Sequence, residues 1–240
     1  MRLIIIFLAC LMSVGCQLSR PAMAQEVVVP VVAAKSNSSD ATEAGLVTQA
    51  NEAFYGRHLK EARAFCQRAI EENNLAESHI TAISARFFLN RTACDIGLHD
   101  YQSARKTLES VAKFMRGEKN AKENEVLLAD CFLLRGELAY KSGDSKSALP
   151  LYKQALTTYI DHFGLECPTI SQPLEGMAVC LRKEGHLGRA LSAERQAALN
   201  DFINLGLGSF RLCETLRFLV QLEHEAGYDD RAHGSESCSL

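Results

Sequence analysis

Ala62, Ala104, Ala148, Ala190 and Ala232 recur at steps of 42, 44, 42 and 42 residues. Each follows a polar run and an aromatic or aliphatic residue, and each opens an amphipathic segment. A period of this length points to stacked supersecondary units, because one such unit cannot bury its apolar face alone and relies on its neighbours. The expected fold class is all-α, an array of helix pairs.

The frame is clearest in the third unit, Phe132 to Leu156. Gly136, Ala148 and Ala155 are small enough to let two antiparallel helices approach, Gly143 suits a left-handed helix end, and Tyr152 is placed to plug the space between units. This unit resembles the tetratricopeptide repeat. The other units keep the frame with departures: Ala50, Ala62 and Ala69 in the first; Tyr101, Ala104 and Leu108 in the second; Ala178, Gly185, Ala190 and Ala197 in the fourth; Gly227 and Ala232 in the fifth. Arg57 and His99 stand where the turn glycine is usual, Val111 replaces an alanine, and no unit ends in the family's proline.

The usual tetratricopeptide period is about 34 residues, so the longer step needs roughly two further helical turns of about 3.6 residues each. That longer form resembles the repeats of kinesin light chains. Phe163-Gly164-Leu165-Glu166-Cys167-Pro168-Thr169 matches their inter-repeat loop, with Cys167 in place of histidine, and Ala148-Leu-Pro-Leu-Tyr-Lys153 is typical of their second helix. Pro150 is assigned to the first helical turn, where backbone donors lack partners. The resemblance, from about Ala44 to Ala232, implies a right-handed superhelical solenoid of about five helix-turn-helix repeats. Helices are expected over 43–56, 59–73, 77–97, 100–116, 121–142, 145–162, 169–184, 187–204 and 210–226, with a remnant from 229.

The ends of the chain carry different signals. Met1-Arg2 followed by the apolar run Leu3 to Val14 reads as an export signal too short to span a bilayer. Ala22-Met23-Ala24 offers signal-peptidase cleavage before Gln25; Ser13-Val14-Gly15-Cys16 resembles a lipobox, which would make Cys16 a lipidated N-terminus. The two alternatives predict a periplasmic or secreted protein, or a membrane-anchored lipoprotein. The resulting organisation is a signal peptide over 1–24, a flexible linker over 25–42, the repeat domain over 43–235 and a disordered tail over 236–240. Loss of residues 1–24 leaves 24 basic and 29 acidic residues, net −5, which favours neither nucleic acid nor an anionic membrane surface. A composition 47% apolar without tryptophan suits helix pairs stacked on Ala, Leu and Phe.

Seven cysteines follow Ala24. Their spacing gives no disulfide framework, and Cys66, Cys94 and Cys180 fall at interior positions, where cysteine acts as a small apolar residue. Cys167 in a loop and Cys238 in the tail are the exceptions. Zinc and haem spacings such as Cys-x-x-Cys and His-Glu-x-x-His are missing, as are phosphate-cradling glycine loops and a Gly-x-Ser-x-Gly elbow. His58, His99 and His186 fall in the turns within units. No catalytic residue, cofactor or metal is therefore assigned, and the chain is read as a non-enzyme.

The resemblance implies that the first helix of each unit lines an inner groove. The inward positions include Leu89 and Ala93 in unit two; Leu133, Glu137, Tyr140 and Lys141 in unit three. Unit four contributes Glu175, Val179, Arg182 and Lys183, and unit five Arg217, Gln221 and His224. These grade from apolar to charged, as an extended peptide with an aliphatic end and a charged end would require. Tyr140 is expected to face Arg182 and Lys183. The leading expectation is a scaffold binding a peptide or protein partner through this groove, outside the cytoplasm. Alternatives are a structural lipoprotein subunit of an envelope or secretion assembly and an enzyme with an unrecognised site. The last helix pair is short, so self-association through the C-terminal repeat is also expected as an alternative.

Overall fold

A computed structural model describes residues 58–77, 80–117 and 122–228. The helix expected over 43–56, the remnant from 229, the export signal, the linker, the tail, Cys16 and Ala232 lie outside them. Among the described residues there are eight α-helices and no strand. They are α1 (Leu59–Glu72), α2 (Ala82–Gly97), α3 (Tyr101–Gly117), α4 (Lys122–Lys141), α5 (Ser145–Phe163), α6 (Ser171–Lys183), α7 (Leu187–Leu205) and α8 (Phe210–Glu225), with a 3-10 turn (Pro168–Ile170) before α6. Each helix packs on its neighbour in sequence. In addition, α4 packs on both α2 and α6, so the odd helices α3 and α5 are skipped in that row.

The reversals within pairs have a common cause. His99, Gly143, Gly185 and Gly227 have φ of +64°, +94°, +79° and +70°, and they stand 44, 42 and 42 residues apart, as the alanines do. At three of them the carbonyls left unpaired at a helix end are met in the same way. Gly143 N–H donates to Tyr140 and Asp144 N–H to Ala139, Gly185 to Arg182 and His186 to Leu181, His99 to Ile96 and Asp100 to Asp95. This pairing needs a left-handed residue, which glycine adopts without strain. His99 takes the glycine's place in unit two, and its ring Nδ1 lies 2.7 Å from the Tyr101 hydroxyl.

Ala62, Ala104, Ala148 and Ala190 are all buried, which explains why a larger residue is not found there. Tyr152 on α5 is 1% exposed and lies between two glycines of successive first helices. A Cβ at Gly136 on α4 would meet its ring at 3.0 Å, and one at Gly176 on α6 at 2.5 Å. The ring thus fills the seam between units three and four and contributes on the order of 3 kcal/mol by burial.

Three expectations are corrected. The second described helix begins at Ala82 rather than 77, because Thr81 and Ser84 form reciprocal caps, Thr81 N–H donating to Ser84 Oγ at 2.8 Å and Ser84 N–H to Thr81 Oγ1 at 3.2 Å. Pro150 sits beyond the first turn of α5, on an exposed side, so it removes one helical hydrogen bond there. Cys167 is buried despite its loop position, because Asn200 on α7 donates to the carbonyls of Leu165 and Cys167 and draws that loop down. Cys66, Cys94, Cys131 and Cys180 are free, buried thiols, with burial raising the last two to about 11 and about 12.

Candidate functional site: the face of α4, α6 and α8

Side chains join the first helices of units three, four and five. Lys183 on α6 sets its Nζ 5.5 Å from the centre of the Tyr140 ring on α4 and donates to the Gly143 carbonyl at 3.3 Å. Its neighbour Arg182 reaches the other way. The guanidinium binds Glu225 on α8 through two nitrogens, Nε donating to Oε2 at 2.8 Å and Nη2 to Oε1, and lies 5.5 Å over the Phe218 ring. Gln221 Nε2 donates to the same carboxylate at 3.3 Å. Tyr140 is half-buried, and loss of solvent raises its hydroxyl pKa, with Cys180 adding to this and Arg182 opposing it.

The candidate residues divide by burial. Tyr140, Lys141, Val179 and Arg182 are partly exposed, and Lys183, Arg217, Gln221 and His224 are exposed. Arg217, Gln221 and His224 recur at the spacing of one helix face on α8. Leu89, Ala93 and Leu133 are buried in the hydrophobic core, and Glu137 and Glu175 are 4% and 6% exposed. These five serve helix contacts in this structure. The expected apolar end of the groove is therefore absent from the described surface, since the side chains that would form it pack between helices.

Glu175 belongs instead to a buried polar cluster where α6, α7 and α8 meet. Arg211 at the start of α8 donates through Nη2 to Glu175 Oε1 at 3.0 Å and Ser171 Oγ at 3.1 Å, and through Nε to Asp201 Oδ1 at 3.2 Å. The Thr215 hydroxyl stands 2.9 Å from Asp201 Oδ2 and 3.1 Å from Glu175 Oε1. Glu194 on α7 is 0% exposed and neither carboxylate oxygen has a hydrogen-bond partner. Burial pushes Glu175 up to about 7 against the pull of Arg211, and burial with the charges of Glu175 and Asp201 holds Glu194 well above the usual range. Burial without a hydrogen-bond partner thus favours the protonated, uncharged form of Glu194.

A second network ties α1, α2 and α3. Asp95, fully buried, has Arg63 Nε 2.8 Å from Oδ1, Arg91 Nε 3.9 Å from Oδ2, and accepts from Ser103 Oγ at 3.0 Å. Arg91 also pairs with Glu77 and donates to Thr107 Oγ1 at 2.9 Å. Neither network was legible from spacing, because Arg211 meets its carboxylate 36 residues away and Arg63 meets Asp95 32 residues away.

Among the described residues no group of three or more His, Cys, Asp or Glu is arranged to hold a metal ion, and no helix is long and apolar enough to cross a membrane. No protein-family model matches the chain, and no curated protein matches it.

Proposed function

We propose that the chain is a tetratricopeptide-type repeat scaffold, without catalytic activity, that binds a peptide or protein segment outside the cytoplasm on the face of α4, α6 and α8. The observation that carries this reading is the pair of bridges across that face, Tyr140 to Lys183 and Arg182 to Glu225. They join three successive first helices into one surface offering an aromatic ring and several cations. The left-handed turns spaced as the alanines are, and the row α2, α4, α6, support the repeat assignment. The apolar run after Met1-Arg2 supports export.

Lys141, Lys183 and Arg217 are cations with exposed surface on this side, whereas Arg182 is already filled by Glu225. A partner segment bearing carboxylates and one apolar side chain fits that balance. Tyr140 offers an aromatic anchor, and Arg182→Glu would release Glu225 and set two acids against an acidic segment, so Tyr140→Ala and Arg182→Glu should each weaken binding by about 1–2 kcal/mol or more. Helicity should not change, and the lost Arg182–Glu225 pair should cost at most about 1 kcal/mol of stability. Calorimetric titration with the partner identified by in-cell crosslinking checks this; full affinity in both variants overturns the assignment of the face.

A further inference from the structure

Among the described residues, the large apolar side chains that remain exposed all lie at or after Phe163. Six of them form one region. Leu199, Phe202 and Ile203 make an outward stripe on α7, Leu207 and Phe210 follow in the next turn, and Leu165 is held beside α7 by the Asn200 amide. Gly164 and Gly206 stand 42 residues apart with φ of +84° and +74°, and each turns a leucine outward, Leu165 and Leu207. The six are between 46% and 71% exposed.

At about 200 Å² for each large side chain, the exposed area of this region is on the order of 700 Å². That exceeds the roughly 300–600 Å² of the largest patch on an ordinary monomer and approaches the ~800 Å² each partner buries in a standard interface. The region is also free of charge. From Gln196 to Phe210 the one charged residue is Asp201, which is 1% exposed. A bilayer surface is usually met by several lysines and arginines around such a stripe, whereas here the exposed charged neighbours are one of each sign, Arg195 on α7, which is paired with Glu223, and Glu166. A surface without charges can meet a copy of itself without opposing like charges, as a two-fold interface requires.

We infer that this face of α7 and its flanking loops is the contact between two copies of the chain. The inference goes beyond the scaffold reading, because the contact lies on a second helix of a pair and leaves Tyr140, Arg182 and their neighbours uncovered. A dimer so built presents two binding faces at once and gains avidity for a partner that reaches both.

Sedimentation equilibrium of the mature chain as isolated from cells tests the inference. The wild type should show twice the chain mass. Ile203→Asp should raise the dimer dissociation constant about 30-fold or more, and Leu199→Thr should raise it less. Both substitutions copy residues that α5 already carries 42 positions earlier, Asp161 and Thr157, which are exposed or partly exposed there, so circular dichroism and melting temperature should be unchanged. Single mass for the wild type at its solubility limit overturns the inference. So does a dimer that survives Ile203→Asp but is lost in Val220→Asp on α8, which would place the contact at the C-terminal repeat. Flotation of monomeric wild type on phosphatidylcholine vesicles, lost in Ile203→Asp, would assign the patch to a membrane instead.

Discussion

The two buried ionic networks solve the same problem with opposite charge balance. Where α1, α2 and α3 meet, the one fully buried acid, Asp95, has two guanidinium groups, and its other partners keep contact with solvent. Where α6, α7 and α8 meet, three carboxylates are buried and the guanidinium of Arg211 binds two of them, Glu175 and Asp201, leaving Glu194 without a hydrogen-bond partner. A carboxylate taken from water without a matching cation costs several kcal/mol and responds by keeping its proton. The lesson is that helix stacking fixes where polar side chains are buried but not whether their charges cancel: burial raises Asp95 against the pull of two arginines, whereas Glu175 and Glu194 are raised with only Arg211 opposing.

Removing the arginines should separate the two networks most strongly. Arg211→Met should lower stability by about 3–5 kcal/mol at neutral pH, because it leaves buried acids uncompensated. Arg63→Met should cost about 1 kcal/mol, since Arg63 is 40% exposed and Arg91 remains near Asp95. Urea unfolding of the two variants measures the difference, and equal losses would remove the asymmetry.

The pH dependence follows from the direction of the shifts. Glu175 is raised from 4.5 to about 7 in the folded chain, and Glu194 is raised as well. A raised folded pKa means that the folded state holds the proton more tightly, so the contribution is complete below the unfolded value of 4.5 and is lost as pH climbs through about 7. Asp130, raised to about 6 by burial, acts in the same sense. Stability should therefore fall by on the order of 3 kcal/mol between mildly acidic and mildly alkaline buffer. Thermal melts across that range check it; a curve that rises with pH would contradict the protonated assignment.

Glu194→Gln sharpens the same point at smaller scale. It keeps the shape and removes the acid, so it should flatten the pH curve and leave alkaline stability equal to or about 1 kcal/mol above wild type. A loss of several kcal/mol would mean that the ionised form is being stabilised by something the geometry does not provide.

The parts of this molecule that were legible in the sequence are those set by local sterics. Ala104, Ala148 and Ala190 announce close helix contacts, Gly143 and Gly185 announce left-handed reversals, and the helices fall within a few residues of their expected bounds, except where the Thr81–Ser84 cap delays α2. Side-chain exposure was not legible to the same degree. Glu175 and Glu137 occupy inward-facing positions of the repeat frame, yet neighbouring helices cover them. On α7 the apolar residues line two sides, with Ala190, Leu191, Ala197 and Ala198 inward and Leu199, Phe202 and Ile203 outward. Periodicity identifies apolar stripes but not which of two is buried. Long-range partners such as Arg211 and Glu175 depend on stacking and leave no local spacing to read.

The central claim, that a partner is bound on the face of α4, α6 and α8, is tested most directly by photo-crosslinking in the native cell. A photoreactive residue is placed at Arg217 or Val179 on that face and, in parallel, at exposed Lys153 on α5. The account predicts one shared partner band from Arg217 and Val179, lost when Tyr140→Ala is added, and none from Lys153. A band from Lys153 alone, with the face positions silent, would contradict it.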